Sequence, residues 1–290
     1  MCLLVLAWKT HPRYRLVVAA NRDEYHDRPA AALGRWPAPD DILAGRDLRA
    51  GGTWLGVDRH RRFGVVTNFR DLVRAPPEAR SRGSLIPRYL TASAGPGEYL
   101  GTLEPEAAGY GGFNLLLADG DALWYASNRG TPFAQELSSG VHGLSNERLD
   151  TPDSRPEGGE PGTASPKLRR VRRGFEDWLR SGSGAEGGEL FALLGDREPA
   201  TEEERLPSTG LSPQWERTLS SPFVLHESYG TRCSTIVAIE PAGACYLAER
   251  RFDRSGTCSG ETQYRLARGE WPTQHANRVS APARAPFESK

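Results

Sequence analysis

Two unbroken apolar runs, Cys2–Trp8 and Leu16–Ala20, stand near the start of the chain, separated by Lys9-Thr10-His11-Pro12-Arg13-Tyr14. A strand with one wet face alternates apolar and polar residues, whereas an unbroken run suits a strand covered on both faces. The polar spacer reads as a hairpin connection. The rest of the chain must therefore supply cover on both sides of this hairpin.

Further hairpins follow. Thr53–Val57 and Phe63–Thr67 are joined by Asp58-Arg59-His60-Arg61. Phe113–Ala118 and Ala122–Ala126 turn at Asp119-Gly120-Asp121, and Ser234–Ile239 and Ala244–Ala248 turn at Pro241-Ala242-Gly243. Val141–Leu144 is a further short strand. Helices are expected at Ser84–Thr91, Ser165–Leu179, Glu189–Leu194 and Ser212–Leu219. Ser165–Leu179 is the clearest, with Pro166 in its first turn, Leu168, Val171, Phe175 and Trp178 at helical spacing, and Gly182 beyond its end. Hairpins with interspersed helices predict an α+β fold of mainly antiparallel sheet. With 38% hydrophobic residues, the 290-residue chain can build one large layered domain over 1–268. Residues 269–290 read as a loose tail, and Asp150–Ala164, rich in Gly, Pro, Ser and Glu, as a surface excursion.

Lys+Arg and Asp+Glu are both 37, so no general basic surface exists for nucleic acid or anionic lipid. No apolar stretch approaches the ~18 residues of a membrane span, so no stable membrane insertion is expected. Cys2–Trp8 lacks the basic leader and cleavage site of a signal peptide. The four cysteines form no CxxC pair, which argues against a zinc ribbon and for a reduced, cytoplasmic chain. No P-loop, dinucleotide fingerprint, HExxH or GxSxG motif is present, and the six histidines have no metal-ligand spacing, so no metal is expected.

The first hairpin places chemistry. If it turns near residue 12, Cys2 pairs with residue 21 or 22 across about 5 Å. Cys2 then lies beside Asn21-Arg22-Asp23-Glu24. Removal of Met1 would give Cys2 a free α-amine, which titrates near ~7.7–8.0 and can act as base for its own thiol. The other reading of Cys2 is a small buried apolar residue. Asn68 ends a predicted strand opposite Gly51-Gly52, where an amide facing a gap could donate to an oxyanion. Asn146 ends another apolar run, and Arg232 lies at the entry to the last hairpin; each also reads as an ordinary turn or solvated residue. Trp54 and Phe69 flank the Gly51-Gly52 and Asn68 region and are expected to line a cleft. Cys233, Cys245 and Cys258 have no comparable polar cluster and should be less reactive than Cys2.

These segments resemble one family. Met1-Cys2-Leu3-Leu4, Val17-Val18-Ala19-Ala20-Asn21-Arg22-Asp23-Glu24-Tyr25, Gly51-Gly52-Thr53-Trp54-Leu55-Gly56, Thr67-Asn68-Phe69-Arg70, Gly143-Leu144-Ser145-Asn146 and Gly230-Thr231-Arg232-Cys233-Ser234-Thr235 look like the NRDE, or transport and Golgi organisation 2, family. The match runs in order over about residues 1–268. The resemblance implies a four-layer αββα sandwich like that of N-terminal-nucleophile hydrolases of the penicillin V acylase and bile salt hydrolase group. On that pattern Cys2 is the nucleophile, Asp23 orients its amine, Asn68 and Asn146 stabilise an oxyanion, and Arg232 tunes the thiol. Asn21, Arg22, Trp54 and Phe69 would contact substrate. The Arg of the related Arg-Asn-x-Asp pattern is Ala20 here, and Arg22 is expected on the opposite strand face from Asn21 and Asp23. The implied function is hydrolysis of an amide or thioester of a small or amphipathic molecule, with no cofactor. The alternative is a non-enzymatic carrier of haem or acyl-CoA in haem trafficking or lipid metabolism.

Overall fold

The computed structural model describes residues 2–38, 40–70, 78–150, 165–202, 204, 206, 210–273 and 279–280. The surface excursion expected before Ser165 and most of the expected tail lie outside these residues. In chain order the elements are β1 (Cys2–Trp8), β2 (Leu16–Tyr25), β3 (Ala30–Arg35), β4 (Ile42–Asp47), β5 (Leu55–Asp58), β6 (Phe63–Asn68), α1 (Leu85–Thr91), α2 (Pro96–Leu103), β7 (Phe113–Ala118), β8 (Leu123–Ser127), β9 (Ala134–Glu136), β10 (Gly140–Leu144), α3 (Pro166–Ser181), α4 (Glu189–Leu194), α5 (Pro213–Thr218), β11 (Tyr229–Ile239), β12 (Cys245–Phe252), β13 (Cys258–Leu266) and β14 (Val279–Ser280).

Two seven-stranded sheets result. One runs β10-β1-β2-β11-β12-β13-β14, the other β3-β4-β5-β6-β7-β8-β9. The pairing within each is antiparallel. The chain is thus an α+β fold built on two face-to-face sheets. The apolar opening hairpin is central to the first sheet, which explains its composition. Leu4, Leu6, Leu16 and Val18 face the second sheet and join one core with Val57, Phe63 and Leu116. Leu3, Val5, Val17 and Ala19 face the other way, under Leu168, Val171, Phe175 and Trp178 of α3. The outer face of the second sheet is covered by Leu85, Ile86, Tyr89 and Leu100 of α1 and α2. Each fully buried Leu, Val or Phe contributes about 1.5–3 kcal/mol, so the helices are held chiefly by these faces.

The helix α2 and strands β3, β4 and β13 were not expected from the sequence. Helix α2 carries Gly97 and Gly101, and the strands carry Arg35, Arg46 or Glu261 among their apolar residues. The expected tail is corrected at its start. Pro272 is buried, Trp271 Nε1 donates to Asp41 Oδ1 at 2.8 Å, and Arg61 donates to the Glu270 carbonyl at 2.9 Å. These contacts tie 270–272 to the second sheet's β4–β6 end.

Toward one end, the space between the sheets turns from apolar to polar. Past Val18 and Ala20, β2 presents Arg22 to this space; past Leu247, β12 presents Glu249. Glu249 is 2% exposed, and its Oε1 accepts from the Leu33 amide at 2.8 Å. That amide lies at the irregularity between Ala31 and Gly34 of β3, so a carboxyl from one sheet satisfies a bulge of the other. Burial raises the Glu249 pKa above the ordinary carboxyl range, against the Leu33 amide, Arg251, Cys233 and Arg22, which lower it. A carboxyl raised in the fold binds its proton more tightly there than in the unfolded chain. Its stabilising contribution is present below the unfolded value of ~4.3 and is lost as pH rises through the folded value. Because Gln mimics the protonated carboxyl and does not titrate, wild type should lose melting temperature relative to Glu249→Gln as pH rises from about 4 to about 8. A difference independent of pH would show that Glu249 titrates alike in both states.

Candidate functional site

Cys2 is the first residue of β1 and its strand partner is Arg22. On the other side Arg22 pairs with Cys233 of β11, which in turn pairs with Arg251 of β12. Four adjacent strands thus align Cys2, Arg22, Cys233 and Arg251 in one row. The register expected from the hairpin, Cys2 beside residue 21 or 22, is the one observed.

Arg22 is 6% exposed. Its guanidinium carbon lies 4.4 Å from the ring centroid of Trp54, which comes from the second sheet's side. Such a contact contributes about 0.5–2 kcal/mol. Gly45 makes room for it: a Cβ there would fall 2.4 Å from the Trp54 indole. Arg22 Nη2 is 3.7 Å from both Glu24 and Asp47 carboxylate oxygens, and Asp47 is engaged more closely by Arg28 at 2.7 Å.

Asp23 projects to the opposite face, toward the helices. It is 1% exposed; its Oδ1 accepts from Thr231 at 2.7 Å and its carbonyl from the Tyr229 hydroxyl at 2.9 Å. Burial raises its pKa, and the buried Lys167 of α3 is the strongest opposing charge. Because β1 starts opposite Arg22, no residue of β1 lies beside Asp23. Arg22 and Asp23 both border a chamber of about 310 Å³ that Arg28, Arg82, Trp54 and Asn68 also line.

A second chamber of about 460 Å³ shares Glu24, Asn68, Arg82 and Gly111 with the first. Phe69, Trp215, Leu219 and Tyr229 give it an aromatic and aliphatic wall, with Asn146 and Arg70 at its polar end. The cleft is therefore bipartite, charged on one side, where Arg22, Arg28, Arg80 and Arg82 meet Asp23, Glu24 and Asp47, and largely apolar on the other. Trp54 lines the first chamber and Phe69 the second.

The two Asn residues meet where the sheets are stitched together. Asn146 Nδ2 donates to the Asn68 carbonyl at 2.8 Å, and the Arg70 amide donates to the Asn146 carbonyl at 2.7 Å. Thr67 and Asn114 add bonds to the Ser145 and Glu147 carbonyls at 3.3 and 2.9 Å. The Asn68 side chain is exposed into both chambers, whereas the Asn146 amide is buried. The expected gap opposite Gly51-Gly52 is corrected. Backbone of Gly83 fills it, so close that a Cβ on Gly52 would fall 2.3 Å from the Gly83 carbonyl carbon.

Asn21 and Arg232 are absent from the described residues lining the two chambers. Asn21 is 2% exposed and spends its amide on the Leu194 and Pro222 carbonyls at 2.8 and 3.0 Å and on the Ser234 hydroxyl at 2.6 Å. Arg232 lies at a bulge in β11, between Thr231 and Cys233. Its Nη1 donates to the Tyr25, His26 and Arg28 carbonyls at 2.9, 3.2 and 3.3 Å, holding the chain after β2 in place. Cys233 was expected to lack a polar cluster. The structure corrects this: it lies between two arginines on the neighbouring strands, with Glu249 on the same side of the sheet. A sequence signal existed, since Glu249 and Arg251 take inward positions that Leu247 marks as core.

A layered α+β protein with a bipartite cleft at the open end of two sheets is the class that fold and site define. Residues 1–254 match the family Transport and Golgi organisation 2. A Mus musculus protein described as Transport and Golgi organization 2 homolog is 31% identical over 281 residues, covering 90% of this chain and 97% of its own. A Bos taurus homolog is 32% identical over 284 residues, with the same coverage. Transport and Golgi organization protein 2 of Drosophila melanogaster is 24% identical over 298 residues, 95% and 97% of the two chains. The chain belongs to the Transport and Golgi organisation 2 family.

The placement of Asn21 makes a clear expectation. Asn21→Ala strands two buried carbonyls and a hydroxyl and should cost about 2–4 kcal/mol in urea unfolding. A fully stable Asn21→Ala would mean that these bonds contribute nothing and that Asn21 is held for another purpose.

Proposed function

We propose that the protein is a thiol hydrolase of the N-terminal-nucleophile type, acting on an amide or thioester of a small amphipathic molecule. The observation that carries this reading is the register that pairs Cys2 with Arg22, a residue that borders the first chamber. Loss of Met1 would leave the Cys2 amine at the start of β1, where Asp23 is the nearest carboxylate in sequence register. That amine would take the thiol proton as the sulfur attacks the carbonyl, then return it to the leaving group. Asn68 would donate to the oxyanion. Asn146 supports Asn68 through its carbonyl. Arg232 supports the turn that carries Arg28 to the first chamber. The charged chamber suits a polar head and the aromatic chamber an apolar acyl or aryl group.

The same bipartite cleft favours a second reading, a carrier of haem or acyl-CoA without catalysis. The two differ at the amino terminus, because a retained Met1 acylates the required base. Intact mass of the native protein should be short by one methionine. Iodoacetamide at about pH 7 should then label Cys2 faster than Cys245, whose thiol burial pushes up to about 12. A retained Met1 would remove the hydrolase mechanism and leave the carrier.

A further inference from the structure

Cys233 has the surroundings of a reactive thiol and takes no part in the acyl chemistry above. It is 4% exposed on the inter-sheet face, with Arg22 on one neighbouring strand and Arg251 on the other. The Glu249 carboxyl, opposite Thr235 two residues further along β11, faces the same space, and Cys233 is one of the groups that lower its burial-raised pKa. Thr235, also buried, is the strand partner of Glu249.

A second observation points to a ligand. Arg22 borders the charged chamber, and its buried Nη1 has no hydrogen-bond partner. Its ion pairs with Glu24 and Asp47, both at 3.7 Å, are longer than direct hydrogen bonds. A buried donor left unpaired is destabilising. The stacked Trp54 fixes the plane of the guanidinium but cannot satisfy its N–H edge. An oxygen atom of a small ligand in the chamber would.

We propose that Cys233 is a peroxide-reactive thiol, oxidised to a sulfenic acid by a small hydroperoxide that docks on Arg22. Glu249 takes the thiol proton and the sulfur attacks one peroxide oxygen. The O–O bond breaks, the S–O bond forms, and the proton passes to the departing oxygen. Sulfur loses two electrons and the hydroperoxide is reduced to an alcohol, or to water when it is hydrogen peroxide. Arg22 and Arg251 hold the charge that develops on sulfur and oxygen. Because Arg22 also borders the cleft, the oxidation state of Cys233 would be felt by whatever binds there.

The chemistry requires neither removal of Met1 nor an acyl substrate, so it stands apart from the hydrolase reading. The test treats the full-length, reduced protein with hydrogen peroxide in the presence of dimedone, then quantifies adducts peptide by peptide. Cys245, 5% exposed, is the internal control for burial without the cluster. The Cys233 adduct should form about ten times faster than the Cys245 adduct, and Glu249→Gln should slow it about tenfold. Should that variant fail to fold, Arg251→Gln is read in the same way. Adduct formation at Cys233 no faster than at Cys245 in the wild type would overturn the proposal, whatever Cys2 does. So would an unchanged rate in the folded variant.

Discussion

One buried guanidinium, Arg22, sits between the two sheets with the Trp54 ring against its face, and the open end of the molecule is arranged around it. Moving a charge out of water costs several kcal/mol, and only geometry can repay it. Here Trp54 gives it a π face, Gly45 gives Trp54 room, and Glu24 and Asp47 supply opposite charge at a distance. Below Arg22 the inter-sheet space is filled by Leu and Val rows; at Arg22 it opens into the first chamber.

The parted ends still have to be held together. Buried polar bonds do this rather than apolar packing: Thr67 and Asn114 to the 145–147 backbone, Asn146 to Asn68, and Glu249 to the Leu33 amide. Each bridges strands or sheets at a place where backbone groups would otherwise lack partners. The cleft is thus polar at its seams, charged in one chamber and largely apolar in the other. Asn21, expected to contact substrate, and Arg232, expected to tune the thiol, make polar bonds elsewhere, Asn21 to the Leu194 and Pro222 carbonyls and Arg232 to the chain after β2.

The legible part of the fold was what periodicity controls. The opening hairpin, the register of Cys2 with Arg22 and the amphipathic α3 follow from apolar spacing alone. Strands β4 and β13 were hidden because Arg46 and Glu261 interrupt their apolar residues, and α2 because Gly97 and Gly101 argue against a helix. The site was legible on β2, where four polar residues follow an unbroken apolar run. It was not legible across β11 and β12. Cys233 and Glu249 are 16 positions apart in sequence, and only the hairpin register brings them together. Nor does a sequence reveal that Gly83 backbone fills the space beside Gly52.

We propose that the thiol at the head of β1, paired with Arg22 at the first chamber, performs acyl transfer. The most direct measurement is intact mass after brief exposure to a simple acyl thioester, such as an N-acetylcysteamine ester, with digestion to locate the added mass. The account predicts a transient gain of one acyl group on the amino-terminal peptide, at Cys2, that decays as free acid appears and is absent from Cys2→Ala. A protein that binds the ester reversibly, yet neither gains the acyl group nor releases acid, would contradict it.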